Sequence, residues 1–248
     1  MTRPRILVTS WRRPLPTYLG ERTILDTLDP AYAAQVFDAG GLPLVVSRPP
    51  GGDALDDLLS IADGLVLTGG GDVDPASYGA ELENADDPDA GADDWEIALI
   101  AGARERALPT LAICRGAQLL AVAHGGRLAQ RLSAGDGHAD LADLTPEAIL
   151  SARHEVDLVP GSRVQRALGG ARERIAVNTI HHHEIADAGE LEVTGTAPGG
   201  VIEAVEPRSE WPCVGVQWHP EKMHEPEQAG LFAQLVGACR DRAKAAVA

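Results

Sequence analysis

The stretch Leu108-Pro109-Thr110-Leu111-Ala112-Ile113-Cys114-Arg115-Gly116-Ala117-Gln118-Leu119-Leu120 constrains the fold more than any other. Thr110 to Ile113 is apolar and β-branched and predicts a short buried strand. Gly116 to His124 predicts a helix, closed by Gly125-Gly126. Only Cys114 and Arg115 lie between them, so the turn is tight and its tip is forced into a sparsely populated backbone conformation. A strand–turn–helix of this kind is a nucleophile elbow. It sets a sulfur at the carboxyl end of a strand and the amino end of a helix, where the helix dipole favours thiolate over thiol. Small residues at Ala112, Gly116 and Ala117 let the three pieces approach closely. From spacing alone, a core cysteine that acts as a small hydrophobe remains the alternative.

A second stretch supplies what a cysteine nucleophile needs. Pro212-Cys213-Val214-Gly215-Val216-Gln217-Trp218-His219-Pro220-Glu221 predicts a strand ending in a His-x-Glu pair. His219 can take the Cys114 proton, and Glu221 can hold the imidazole in the required tautomer. No serine stands at the elbow, which excludes a serine-type α/β-hydrolase.

Ile113-Cys114-Arg115-Gly116-Ala117-Gln118 together with Gln217-Trp218-His219-Pro220-Glu221 resembles a class I glutamine amidotransferase domain. Leu67-Thr68-Gly69-Gly70-Gly71-Asp72-Val73-Asp74-Pro75, Asn178-Thr179-Ile180-His181-His182 and Val201-Ile202-Glu203-Ala204-Val205-Glu206 narrow the resemblance to the γ-glutamyl-γ-aminobutyrate hydrolases, cysteine peptidase family C26. It runs in order along nearly the whole chain. It implies one domain over residues 1–248 of α/β class, flavodoxin-like. The sheet is expected to be open and mostly parallel, with helices on both faces and a small antiparallel extension. It implies hydrolysis of a γ-glutamyl amide through a thioester on Cys114, with no metal and no organic cofactor.

The glycine run Gly69-Gly70-Gly71 ends the predicted strand Gly64–Leu67, where the backbone can come close to a ligand. The N–H groups of Gly70 and Arg115 are the expected oxyanion hole, a pairing that the resemblance also implies. A phosphate loop would need a Gly-Lys-Ser/Thr ending, which is missing. Asp72 and Asp74 do not complete an EF-hand and are expected to brace the turn before Pro75. Gln118 lies one helical turn beyond Cys114 and is expected near the substrate. Asn178, His181 and His182 match the segment that holds the glutamyl head group in the resembled family. His183 stands where glutamine is usual there, and Gly199 where aspartate is usual.

The histidine run 181–183 is read as extended strand, which would let only His181 and His183 share a metal, and nothing completes the shell. His138 and His154 are expected to be surface or packing residues. Glu203 is expected to pair structurally rather than reach the site. Relatives carry an Arg-Asp pair before the helix predicted at Trp95–Leu108, where this chain has Ala92-Asp93. Glu96 is a candidate partner for Arg115.

The chain has 248 residues, a formal net charge of -16 and three cysteines. The acidity argues against nucleic acid and anionic membrane as partners. An anionic γ-glutamyl small molecule therefore needs a local positive site. The sparse, odd set of cysteines fits a reducing compartment, and the start enters a strand with no signal-peptide pattern, so a cytoplasmic protein is expected. A homodimer is left open. The remaining elements are a strand at Arg5–Ser10, an irregular segment from Trp11 to Leu28, a helix at Pro30–Asp38 capped by Asp29 and an exposed loop at Glu81–Asp94. An antiparallel pair turns through Pro198-Gly199-Gly200, and a closing helix starts at Glu225. Two other functions keep the same motifs. One is a glutaminase subunit that passes ammonia to a separate synthetase. The other is a non-catalytic binding protein, against which the intact Cys114, His219 and Glu221 set argues.

Overall fold

Runs such as Ile6-Leu7-Val8 and Leu65-Val66-Leu67 are apolar at every position, as strands covered on both faces must be. A computed structural model, describing residues 2–49, 54–86, 88–132, 138 and 145–245, shows how they assemble. The strands are β1 (Arg5–Thr9), β2 (Trp11–Thr17), β3 (Gly20–Thr27), β4 (Leu42–Val46), β5 (Gly64–Leu67), β6 (Thr110–Ile113) and β7 (Arg127–Ala129). They continue with β8 (Arg153–Leu158), β9 (Arg174–Asn178), β10 (Glu184–Asp187), β11 (Glu192–Thr196), β12 (Ile202–Glu206) and β13 (Cys213–Val216). The helices are α1 (Pro30–Asp38), α2 (Leu55–Ile61), α3 (Ala90–Glu105), α4 (Arg115–Val122), α5 (Pro146–Ser151), α6 (Arg163–Ala167) and α7 (Ala229–Ala245).

The sheet runs β4-β1-β5-β6-β13-β12-β11-β8-β9. Its first five strands are parallel and, renumbered among themselves, take the flavodoxin-like order 2-1-3-4-5. From β13 onward the pairing is antiparallel, through β12, β11, β8 and β9. Alternate residues feed two cores. Leu7, Leu65, Leu67 and Ala112 pack with Leu59, Leu99 and Leu119 on the face of α2, α3 and α4. Ile6, Val8, Val66, Leu111 and Ile113 pack with Val36, Leu231, Phe232 and Leu235 on the face of α1 and α7. Cys213 and Cys239 are buried packing residues, one in each core. Among the described residues no helix is long and apolar enough to cross a membrane.

Several local expectations are corrected. Trp11 to Thr27 is not irregular: β2 and β3 form a separate antiparallel hairpin, with Trp11 opposite Thr27. Its apolar residues, among them Trp11, Leu15, Ile24 and Leu25, keep no sustained alternation, and Pro14 and Pro16 disguise the strand. Helix α3 begins at Ala90 rather than Trp95, because Asp89 accepts a hydrogen bond from the Ala92 N–H and caps it. The loop expected to run to Asp94 therefore ends with that cap. The segment after Gly126 includes the strand β7. The closing helix starts at Ala229, preceded by a 3-10 turn at Pro226–Gln228. The Asp29 cap and the helix Pro30–Asp38 stand as expected.

Candidate active site

Between β6 and α4 stands Cys114 alone, with φ 52° and ψ -111°. That conformation lies in the left-handed half of backbone space and outside its usual basin, a strain of the kind kept at functional sites. The surroundings enforce it. The Cys114 N–H donates to Val216 O at 2.8 Å, and the Gln118 N–H donates to Cys114 O at 3.1 Å. A Cβ on Gly116 would lie 2.5 Å from Leu67 O, so only glycine lets α4 sit this close to β5.

Strand β13 runs parallel beside β6, with Val216 level with Ile113. The chain therefore leaves β13 at the same end of the sheet as Cys114 and delivers His219 there. His219 Nδ1 lies 2.6 Å from Glu221 Oε1. A carboxylate only accepts, so the proton sits on Nδ1 and Nε2 is left for the sulfur. Glu221 is buried in the 3-10 turn Pro220–Lys222. Burial works to lower the His219 pKa, yet the neighbouring Cys114 and Glu221 outweigh it and hold the imidazole well above its usual range. Tyr32, on α1, adds a group that the sequence did not signal. Its hydroxyl accepts the Gly69 N–H at 2.9 Å and lies 3.3 Å from His219 Nδ1. A Cβ on Gly69 would lie 2.7 Å from His219 Cε1, which explains a glycine there.

A strained cysteine, a histidine and a carboxylate thus meet at the carboxyl end of a flavodoxin-like sheet. The model of the Peptidase C26 family matches residues 16–221. The chain belongs to this family.

Named relatives agree. The chain is 35% identical over 225 residues to the γ-glutamyl-γ-aminobutyrate hydrolase PuuD of Escherichia coli, covering 86% of this chain and 87% of that one. It is 38% identical over 210 residues to the Mycobacterium tuberculosis glutamine amidotransferase-type protein Rv2859c, covering 84% of this chain and 66% of that one. The crystal structure of a GMP synthase-type protein from Thermoplasma acidophilum superposes with a TM-score of 0.67 over 100% of both chains at 16% identity, a likeness of fold. The chain is a glutamine amidotransferase-like hydrolase of the C26 type.

The other expected site residues separate into three groups. Gly70 and Arg115 stand at the elbow: a Cβ on Gly70 would lie 3.3 Å from Arg115 Cδ. The Arg115 side chain enters a buried ion-pair cluster. It meets Asp93 at 2.6 Å and also Glu96. Asp93, of the Ala92-Asp93 step, further accepts from the Asp74 N–H and Ser77. Asp74 caps the turn at Pro75, as expected.

Asn178 is fully buried, and both ends of its amide are taken by the His219 backbone: Oδ1 accepts the His219 N–H at 2.8 Å, and Nδ2 donates to His219 O at 2.7 Å. The structure thus gives Asn178 a positioning contact to the His219 backbone. Gln118 is buried too. Its amide donates to Gln217 Oε1 at 3.2 Å, and Gln217 Nε2 lies 3.7 Å from Cys114 Sγ. Sequence reasoning passes over Gln217, since a polar residue at a strand end gives no signal of its own.

The histidine run is not extended strand, and β10 begins only at Glu184. His181 and His183 consequently do not share a site. His182 Nε2 lies 2.9 Å from Asp72 Oδ1, and hydrogen bonding to Asp72 raises its pKa. His183 is buried with Nε2 2.6 Å from Asn84 O. His181 points the other way, to Glu203, where His138 and His154 also lie. The side chains of both are buried against Glu203 rather than at the surface, and Glu203 has the structural pairing expected of it.

Proposed function

We propose that the chain hydrolyses γ-glutamyl amides, such as γ-glutamyl-γ-aminobutyrate or a related γ-glutamyl amine, through a γ-glutamyl thioester on Cys114. The single observation that carries the reading is the strained Cys114 at the elbow beside the His219–Glu221 pair. The Cys114 sulfur attacks the γ-carbonyl, and the developing oxyanion is held by the N–H groups of Gly70 and Arg115. The C–N bond breaks as protonated His219 gives its proton to the leaving amine. A water then loses a proton to His219 and attacks the thioester, which releases glutamate and restores the thiolate. Asn178 holds the His219 backbone, Tyr32 lies against the imidazole, and Gln217 flanks the sulfur.

Single-turnover mass spectrometry with a panel of γ-glutamyl amides tests this, with Cys114→Ala as the blank. The expected result is a gain of one glutamyl unit on Cys114 with γ-glutamyl amines and slow reaction with glutamine. Acylation mainly by glutamine moves the reading to an ammonia-donating amidotransferase subunit. No adduct and no glutamate from any panel member overturns it.

A further inference from the structure

Four buried side chains converge on one point behind the nucleophile. They come from four separate segments: His138, His154 on β8, His181 after β9 and Glu203 on β12. All four side chains are 1% exposed or less. Their Nε2 atoms lie 3.0, 3.2 and 3.6 Å from Glu203 Oε1, for His138, His154 and His181 in turn. Yet the set does not satisfy itself. His154 Nε2, His181 Nε2 and Glu203 Oε2 are buried with no hydrogen-bond partner among the described residues. Leaving such groups unpaired is costly.

The tautomer of His181 sharpens the mismatch. Its Nδ1 lies 3.0 Å from His183 O, and a carbonyl can only accept, so Nδ1 carries a proton. With its only proton on Nδ1, the ring turns a bare lone pair toward a carboxylate. Two such acceptors need a positive charge between them, either a second proton on the ring or a metal ion. An imidazole whose Nδ1–H is held by a backbone carbonyl is the arrangement in which Nε2 binds a metal.

We propose that His138, His181 and Glu203 form a site for one divalent transition-metal ion of the zinc class, with His154 against the same carboxylate. The donor set suits that ion: imidazoles and a carboxylate are borderline ligands that zinc takes. The spacing fits too. Donor atoms of His138, His181 and Glu203 all lie within 4.8 Å of one another, and His154 Nε2 lies 3.2 Å from the carboxylate oxygen. Ligands about 2.0–2.1 Å from a tetrahedral centre lie about 3.3 Å from one another, between the 3.0 and 3.6 Å that separate Glu203 Oε1 from Nε2 of His138 and of His181. The metal atom would not touch substrate. It would fasten two walls of the nucleophile pocket. Ile180 O, next to His181, lies 4.0 Å from Cys114 Sγ, and Glu203 O accepts the N–H of Gln217, the residue that flanks the sulfur.

This inference is independent of the substrate reading, and so is its test. The full chain is stripped with chelator, mixed with a small excess of zinc chloride and gel-filtered. Bound metal is counted by mass spectrometry, and Tm is recorded. The expected result is one zinc per chain and a higher Tm than the stripped protein. Glu203→Gln and His181→Ala should each lose the ion. His182→Ala, which alters the separate Asp72-His182-His183 group, should keep it. Cobalt in place of zinc should give the intense visible absorption of a tetrahedral site, a readout that does not need the variants to fold. Three results overturn the proposal: no retained metal with unchanged Tm, metal lost only in His182→Ala, or an octahedral cobalt spectrum. In the first case, ¹⁵N imidazole shifts should show His181 doubly protonated.

Discussion

Two buried charged clusters flank Cys114, and they are built on opposite terms. On one side, Arg115 meets Asp93 and Glu96, and Asp93 takes two further donors from Asp74 and Ser77. The donors and acceptors match. On the other side, three imidazoles crowd one carboxylate and leave His154 Nε2, His181 Nε2 and Glu203 Oε2 unpaired among the described residues. A low-dielectric interior strengthens a complete network and penalises an incomplete one. The complete cluster works as a brace that ties the elbow to α3. The incomplete cluster has the form of a receptacle.

The largest effect that separates the two is expected at Arg115. Arg115→Ala strands two buried carboxylates, and removing one partner of a buried ion pair costs about 3–5 kcal/mol. Urea unfolding measures it, and a loss under about 1 kcal/mol would mean that the brace is no brace.

The His219–Glu221 pair sits between the extremes, matched but titratable. Its imidazole pKa is raised in the folded protein. Its contacts with Cys114 and Glu221 therefore contribute their full stability below the ordinary histidine value of about 6.5, and lose it as pH rises through the raised value. The unfolding free energy of the native chain, minus that of His219→Gln, should shrink as pH climbs from neutral into the alkaline range. Urea midpoints at a series of pH values read it, and a difference that stays flat with pH denies the ion pair.

The smallest effect is expected in the incomplete cluster. In chelator-stripped protein, His154→Leu replaces an unsatisfied buried group with an apolar one, and its cost should stay under about 1 kcal/mol. A loss as large as that of Arg115→Ala would show the two clusters to be equally complete and would remove the comparison.

Most of the site's outline was legible because its parts are local. The elbow reads from a β-branched run, one cysteine and small residues within a few positions, and the His219–Glu221 pair reads from a two-residue spacing. The Asp29 cap and the strands Gly64–Leu67 and Thr110–Ile113 carry their signals in their own side chains. The hairpin of β2 and β3 was hidden, because its apolar residues fall out of the two-residue period and prolines interrupt it. Tyr32 was hidden because nothing local separates a core tyrosine on a helix from one that meets a catalytic candidate 187 residues away.

The sequence by itself determined the alternation of strands and helices, the strained turn at Cys114 and the residue types that accompany it, since propensity, capping and spacing act over a few residues. Only the tertiary structure decided what each buried polar group faces. It turned the Asn178 amide onto the His219 backbone and drew the Arg115 side chain into the α3 brace. It also split the histidine run between Asp72 and Glu203. Those outcomes depend on where distant strands place their side chains, and that is fixed by sheet order and register rather than by any neighbour in the chain.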